Sequence, residues 1–126
     1  MLRVFAVLLV ALATAAPITS RASDRPDPCP PHDWCGCWLA TFLEIRDQKQ
    51  WRELWVARNW TTYGHPADGP APGVIAIHGR GTGGHVGIVT SVSRPGFVVL
   101  KSGNDNGAVR ERERSIEGVI AWRKQS

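Results

Sequence analysis

The sequence lacks the features that mark several large classes of protein. Beyond its first fifteen residues it has no apolar run close to the roughly 18 residues that a membrane helix needs, so we expect no integral membrane segment in the mature chain. The net charge is only +4 at pH 7 and most basic residues are scattered, which argues against nucleic acid as a partner. With 126 residues and no internal repeat, the chain supports one small domain, which we expect to be a monomer.

The first fifteen residues have the layout of a secretory signal peptide. Arg3 is their only charge, residues 4–13 form an unbroken apolar run, and Ala13-Thr14-Ala15 is an A-x-A cleavage signal. Because the run is short and ends in small residues, we predict cleavage after residue 15 and a periplasmic or secreted location, rather than an uncleaved membrane anchor. A Pro-rich flexible leader over residues 16–32 and a single domain over residues 33–126 would follow.

Cysteine is scarce, and the three cysteines lie within nine residues, at positions 29, 35 and 37. An odd number in an exported chain leaves at least one thiol unpaired or shared between molecules. The spacing Cys-x5-Cys-x-Cys does not match a tetrahedral zinc site, and the four histidines show no paired spacing. We therefore expect no metal and no other cofactor. A Cys29–Cys37 disulfide that leaves Cys35 free fits an oxidising compartment, although the sequence does not fix the pairing.

The pattern after the leader predicts two helices followed by about five strands. Asp33 is the expected N-cap of a helix over residues 34–43, and its i, i+3, i+4, i+7 spacing gives one apolar face: Cys35, Trp38, Leu39 and Phe42. A second helix is expected over residues 49–59, before a stretch of turn-forming Gly and Pro. Ser93-Arg94-Pro95-Gly96 is a predicted hairpin turn, and the strands are 74–77, 86–92, 97–101, 108–114 and 118–123. This order predicts an α+β domain.

Three residues that can carry chemistry lie at the ends of these elements, and the predicted hairpin would bring two of them, His85 and Asn104, near each other. Cys35 lies in the first helical turn, where free backbone N–H groups and the helix dipole favour a thiolate. His85 follows a Gly-rich stretch and opens a strand, so its imidazole could accept a proton from a thiol. Asn104 follows the next strand, at the same end of the hairpin, and could orient the imidazole as the third member of a triad. The alternatives are an inert buried cysteine and a loop histidine without a task.

Several short motifs accompany these residues. The most specific are Trp34-Cys35-Gly36 at the helix start and Gly84-His85-Val86-Gly87 at the strand start. The others are Ala57-Arg58-Asn59-Trp60, Pro72-Gly73-Val74-Ile75 and Gly103-Asn104. Over roughly residues 33–123, the chain resembles the CHAP-type branch of the NlpC-like cysteine peptidases and amidases, in particular its small single-domain bacterial and phage members.

The resemblance implies a papain-like α+β core and hydrolysis of amide bonds in peptidoglycan peptides through a thioester. It makes Cys35 the nucleophile, His85 the general base and Asn104 the orienting residue, with Asp105 as the fallback for that third role. Most of the six tryptophans are expected in the core, but Trp34 adjoins Cys35 and is the first candidate to line a substrate groove. The leading prediction is an exported cysteine hydrolase with peptidoglycan as its partner. The alternative is a non-catalytic cell-wall-binding domain of the same fold.

The predicted strand over residues 108–114 alternates arginine with glutamate. Because successive side chains point to opposite faces of a strand, one face is expected to be basic and the other acidic. A solvated edge strand that resists aggregation is the favoured explanation. A contact with an anionic polymer is the alternative, through Arg110, Arg112 and Arg114.

Overall fold

A computed structural model describes residues 24–126, and the predicted signal peptide lies outside the described residues. Within them, the chain forms an α+β domain of three short helices and one six-stranded antiparallel sheet. The helices are α1 (Cys35–Phe42), α2 (Gln48–Glu53) and a 3-10 helix (Ala57–Thr62). The strands are β1 (His65–Pro66), β2 (Ile75–His78), β3 (His85–Arg94), β4 (Phe97–Asp105), β5 (Ala108–Ser115) and β6 (Val119–Lys124).

The sheet has the strand order β1-β6-β2-β3-β4-β5, with every neighbouring pair antiparallel. The expected number of about five strands is corrected to six, because the two-residue β1 pairs with β6. A strand this short has no alternation from which to predict it. The predicted hairpin turn is confirmed: Arg94 pairs with Phe97, and Gly96 has a φ of 81°, which matches the Gly position of a type II turn.

Helix α1 lies at the centre of the main core, packed against β3 and β4. Its first six residues are all buried, because α2 and the 3-10 helix also contact it. The prediction that Asp33 caps α1 is wrong: Trp34 is the N-cap, no side chain caps the helix, and Asp33 has a left-handed φ of 52°. The predicted apolar face is also too long, since Phe42 is 47% exposed and stacks on Trp38.

The second predicted helix is divided into two shorter helices. Helix α2 begins after Asp47, whose carboxylate accepts a hydrogen bond from the backbone N–H of Gln50 at 2.8 Å. Val56 has an extended backbone, with φ −85° and ψ 118°, and this residue separates α2 from the 3-10 helix. The two helices are joined by the buried Trp60, whose Nε1–H donates to the carbonyl of Leu54 at 2.8 Å.

The Cys29–Cys37 disulfide is present, and Cys35 is the free cysteine of the three. The disulfide ties residues 24–32, the described part of the predicted leader, to α1. A second attachment comes from Asp24, whose carboxylate accepts a hydrogen bond from the backbone N–H of Val109 at 3.2 Å. In residues 24–126, no helix has the length and apolarity to cross a membrane.

Candidate active site

The candidate site lies where the start of α1 meets the start of β3. Cys35 is the first residue of α1 and is 5% exposed. Val86, the second residue of β3, belongs to the same core cluster, and its backbone hydrogen-bonds to the Cys35 sulfur. Since His85 immediately precedes Val86, the fold brings the predicted nucleophile to the strand that begins with the predicted base.

The glycine before His85 fixes this histidine at the first position of β3. Gly84 has a φ of 77°, and a Cβ placed on it would lie 2.7 Å from the carbonyl oxygen of His78, so a side chain does not fit. This close approach allows His78 and His85 to pair across β2 and β3. The His85 side chain is buried, which restricts the positions that its ring can adopt.

Ser102 is the hydrogen-bond partner of His85. Its Oγ lies 2.9 Å from His85 Nε2, and the serine is fully buried in β4. The hairpin therefore brings the end of β4 to the histidine, as the sequence predicts. The contacting hydroxyl, however, lies two residues before Asn104. Because Nε2 is engaged, Nδ1 is the ring nitrogen left for another partner.

Asn104 and Asp105, the two residues predicted for the third role, lie further along β4. Asn104 has a left-handed φ of 50° and lines a cavity beside His85. The carboxylate oxygens of Asp105 accept hydrogen bonds from Arg112 at 2.6 and 2.7 Å. This pairing holds the pKa of Asp105 below its usual range, with a further contribution from Arg114. Asp105 acts on His85 through its negative charge, which favours the protonated imidazole.

Two cavities open beside these residues and share Arg80 in their walls. One of about 490 Å³, the His85 cavity, is lined mainly by arginines and asparagines. The other, of about 530 Å³, is the Cys35 cavity, and its walls include Trp55 and the backbone of residues 81–84. Cys35 thus lines one cavity and His85 lines the other. No group of three or more His, Cys, Asp or Glu residues in the described part of the chain is placed to hold a metal ion.

The prediction that Trp34 lines a substrate groove does not hold in the structure. Trp34 is 3% exposed and belongs to the main core, where its ring packs against Gly103. It is absent from the walls of both cavities, whereas the half-buried Trp55 lines the Cys35 cavity. The indole available to a ligand beside Cys35 is therefore that of Trp55.

The loop between β2 and β3 is held in place by Arg58 of the 3-10 helix. The guanidinium donates to the carbonyls of Gly79, Gly81 and Thr82 at 2.7, 2.9 and 3.0 Å. The backbone N–H of Arg58 also donates to the carbonyl of Gly83 at 3.1 Å. A guanidinium has enough N–H groups to bind several carbonyls at once. Arg58 thereby shapes the loop wall of the Cys35 cavity.

Burial sets the protonation of the two central groups. It raises the pKa of the Cys35 thiol, and backbone hydrogen bonds, the strongest from Val86, offset this only in part. Burial, together with the positive charges of Arg114 and Arg80, lowers the pKa of His85 to about 4. At pH 7 the free protein therefore holds a neutral thiol and a neutral imidazole, and the imidazole can act as a base.

Ser102, Arg58 and Arg80 belong to the site, although the sequence pattern predicts no separate role for them. Burial alternates along β4 through Val98, Leu100 and Ser102. A serine at a buried position of an alternating strand is a signal for a polar partner nearby. The sequence indicates Arg58 only as a member of the Ala57-Arg58-Asn59-Trp60 motif. Arg80 lies in a Gly-rich loop whose path the sequence does not predict.

The fold and the site define a class of protein: an α+β domain with a free cysteine at a helix start and a histidine at a strand start. The family model of the CHAP domain matches residues 28–104, more than half of the chain, and the chain belongs to this family. The match includes Cys35, His85 and Asn104. CHAP domains are associated with amidase and peptidase hydrolases and with peptidoglycan. Comparisons with curated proteins and with solved structures found no match.

Proposed function

We propose that the protein is an exported cysteine hydrolase that cleaves amide bonds in peptidoglycan peptides through a thioester intermediate. The observation that carries the proposal is the arrangement around His85. Ser102 engages Nε2 at 2.9 Å, while the Cys35 sulfur lies against Val86, the next residue of the same strand. Since Ser102 engages Nε2, Nδ1 is the ring nitrogen that we propose serves Cys35. Membership of the CHAP family supports the class of substrate.

The proposed reaction is an acyl transfer from the substrate amine to water. Nδ1 of His85 takes the proton of the Cys35 thiol, and the sulfur attacks the carbonyl carbon of the amide. The C–N bond then breaks, and the imidazolium gives its proton to the leaving amine. Water attacks the resulting thioester and passes a proton to His85. The C–S bond breaks, and the proton returns to the sulfur.

Three polar groups have supporting roles in this proposal. Ser102 accepts a hydrogen bond from Nε2–H of His85, which keeps Nδ1 unprotonated in the resting ring. Backbone N–H groups at the start of α1, including that of Cys35, are proposed donors to the oxyanion. Asn104, predicted from the sequence to orient the ring, is proposed to act from the wall of the His85 cavity, where its amide can contact substrate.

The test compares the mature chain with its Cys35→Ala and Cys35→Ser variants on purified peptidoglycan, under a mild reductant. Mass spectrometry of the soluble products is the readout. We expect the parent chain to release fragments with new peptide termini, and both variants to lower the rate by more than about a thousandfold. A Ser91→Ala variant, which changes an exposed serine of β3, should retain the parent rate.

Two results would contradict the proposal. Undiminished release by Cys35→Ala would assign the reaction to another nucleophile. Retained binding to peptidoglycan, with no release by any of the four proteins, would favour the non-catalytic wall-binding domain. Circular dichroism of each variant separates loss of chemistry from loss of fold.

A further inference from the structure

The His85 cavity holds more positive charge than its own residues neutralise. Asp105 is the one carboxylate among its described lining residues, and four arginines share the wall: Arg80, Arg110, Arg112 and Arg114. Both carboxylate oxygens of Asp105 already accept hydrogen bonds from Arg112. Glu111 and Glu113 of β5 are not among the lining residues of the cavity, and Glu113 pairs with Arg94 at 2.9 Å. Four guanidinium groups of the cavity therefore share one carboxylate among its described lining residues.

Arg114 has a buried guanidinium nitrogen that lacks a hydrogen-bond acceptor in the described part of the chain. Its side chain is 10% exposed, and its Nη1 is buried with no hydrogen-bond partner among residues 24–126. The ion pair from Nη1 to Asp105 Oδ2 is long, at 3.6 Å. A buried charged donor without a hydrogen bond is costly. An anion that entered the cavity would supply the absent acceptor.

We propose that the His85 cavity is a subsite for a carboxylate of the substrate, and that this carboxylate belongs to the part of the substrate whose amine leaves. Guanidinium groups bind carboxylates through two parallel hydrogen bonds. The amides of Asn104 and Asn106 line the same cavity and add neutral donors. Wall peptides supply suitable groups, because they contain acidic residues and end in free carboxylates.

The side on which the carboxylate lies follows from the proposed chemistry. The acyl part of the substrate stays on Cys35, whereas the leaving amine receives its proton from His85. The leaving part must therefore lie on the His85 side of the bond, where the arginines are. This placement rests on the proposed function. The anion subsite itself rests only on the cavity and its charges.

Binding and cleavage are measured with two pools of soluble peptidoglycan fragments. One pool has free carboxylates, and in the other these groups are converted to amides. Isothermal titration of the Cys35→Ala chain measures binding without turnover. We expect the amidated pool to bind about 10- to 100-fold more weakly, which is the range for a lost hydrogen bond to a charged group. The parent chain should release products whose new amino-terminal residue carries a free carboxylate.

Variants in the Cys35→Ala background assign the effect to the cavity. Arg114→Gln and Arg80→Gln should each reduce the preference for the carboxylate pool, and Arg80 is exposed, so its replacement tests the proposal even if Arg114→Gln fails to fold. Arg94→Gln, which changes an exposed arginine outside the cavity, is the matched control and should keep the preference.

The outcomes separate this inference from the proposed function. Equal binding of the two pools would overturn the carboxylate subsite, whether or not the parent chain cleaves either pool. An equal loss in Arg94→Gln would overturn it too, because general charge attraction would then explain the preference. Displacement by inorganic phosphate, where acetate at equal ionic strength has no effect, would assign the cavity to phosphate instead. If the two pools bind with different affinities but the parent chain cleaves neither, the carboxylate subsite is supported and the proposed hydrolase function is contradicted.

Discussion

His85 Nε2 lies 2.9 Å from the Oγ of Ser102, so the candidate base is held by a hydroxyl rather than by the side chain of Asn104 or Asp105. In the proposed reaction this ring becomes positively charged, and Ser102 then accepts a hydrogen bond from a charged donor. Such a bond contributes about 1.5–3 kcal/mol. We expect Ser102→Ala to lower kcat about 10- to 100-fold with little change in KM, measured on soluble peptidoglycan fragments.

Two further variants distinguish this positioning role from a structural one. Ser102→Thr keeps the hydroxyl and should recover part of the lost kcat, whereas Ser91→Ala changes an exposed serine of β3 and should have no effect.

Asn104→Ala should raise KM more than it lowers kcat, because its amide is proposed to contact substrate. If Asn104→Ala lowered kcat and Ser102→Ala did not, Asn104 would be the residue that orients His85, as the sequence predicts.

The buried His85 makes the free energy of unfolding depend on pH. Its pKa falls from an ordinary 6.5 to about 4 in the folded chain, so between these values the unfolded state binds more protons. The contribution of His85 to the free energy of unfolding is therefore fully present above pH 6.5. It decreases as the pH falls towards 4, by about 3 kcal/mol at 1.36 kcal/mol per pKa unit. Urea unfolding from pH 7 to pH 4 measures this loss.

The variant that identifies the source of this slope is His85→Gln, which removes the titrating ring. It should flatten most of the decline between pH 6.5 and 4, leaving the smaller share of His78, whose pKa burial also lowers. His32→Gln, at an exposed position, should keep the slope of the parent chain. An unchanged slope in His85→Gln would show that other groups carry the pH dependence.

Much of this arrangement can be predicted from the sequence, because the signals are local. Cys35 at a helix start and His85 at a strand start follow from helical spacing and from β-branched runs, and the Pro95-Gly96 turn places the end of β4 near His85. The residues that the prediction missed depend on distant contacts. Ser102 reaches His85 only through the register of β3 and β4, and β1 exists only because β6 pairs with it.

The two wrong predictions near Cys35, the predicted nucleophile, have the same physical origin. A polar residue before a helix is a frequent cap, but Asp33 adopts a left-handed backbone and the helix begins with no side-chain cap. A tryptophan beside a reactive cysteine could face a groove, but the sheet and the other helices enclose the start of α1, and Trp34 is buried there. Tertiary packing overrides local pattern at this helix start.

The Cys29–Cys37 disulfide should stabilise the fold without taking part in the chemistry. It closes a short loop, with a sequence separation of 8, for which the chain-entropy relation gives about 2.5 kcal/mol. We expect the double variant Cys29→Ala/Cys37→Ala to lose about 2–5 kcal/mol of unfolding free energy. Under conditions in which this variant is folded, it should retain the proposed hydrolase activity. In the parent chain, thiol titration in denaturant should find one free thiol, and alkylation mapping should place it at Cys35.

Gly103 occupies a position in β4 where the core leaves no room for a side chain. A Cβ there would lie 2.5 Å from Trp38 Cβ and 3.0 Å from Trp34 Cζ3, and both indoles are buried. Gly103→Ala must displace a ring or the strand, and overpacking of this kind costs about 1–3 kcal/mol. Because Gly103 lies between Ser102 and Asn104, displacement of the strand would also disturb the contact with His85. We expect lower stability in urea unfolding together with reduced kcat.

Gly69→Ala is the matched control, since nothing lies within 4 Å of the added atom, and its stability should stay within about 0.5 kcal/mol of the parent. Equal stability of the two variants would show that the core around Trp34 and Trp38 yields more easily than its packing indicates.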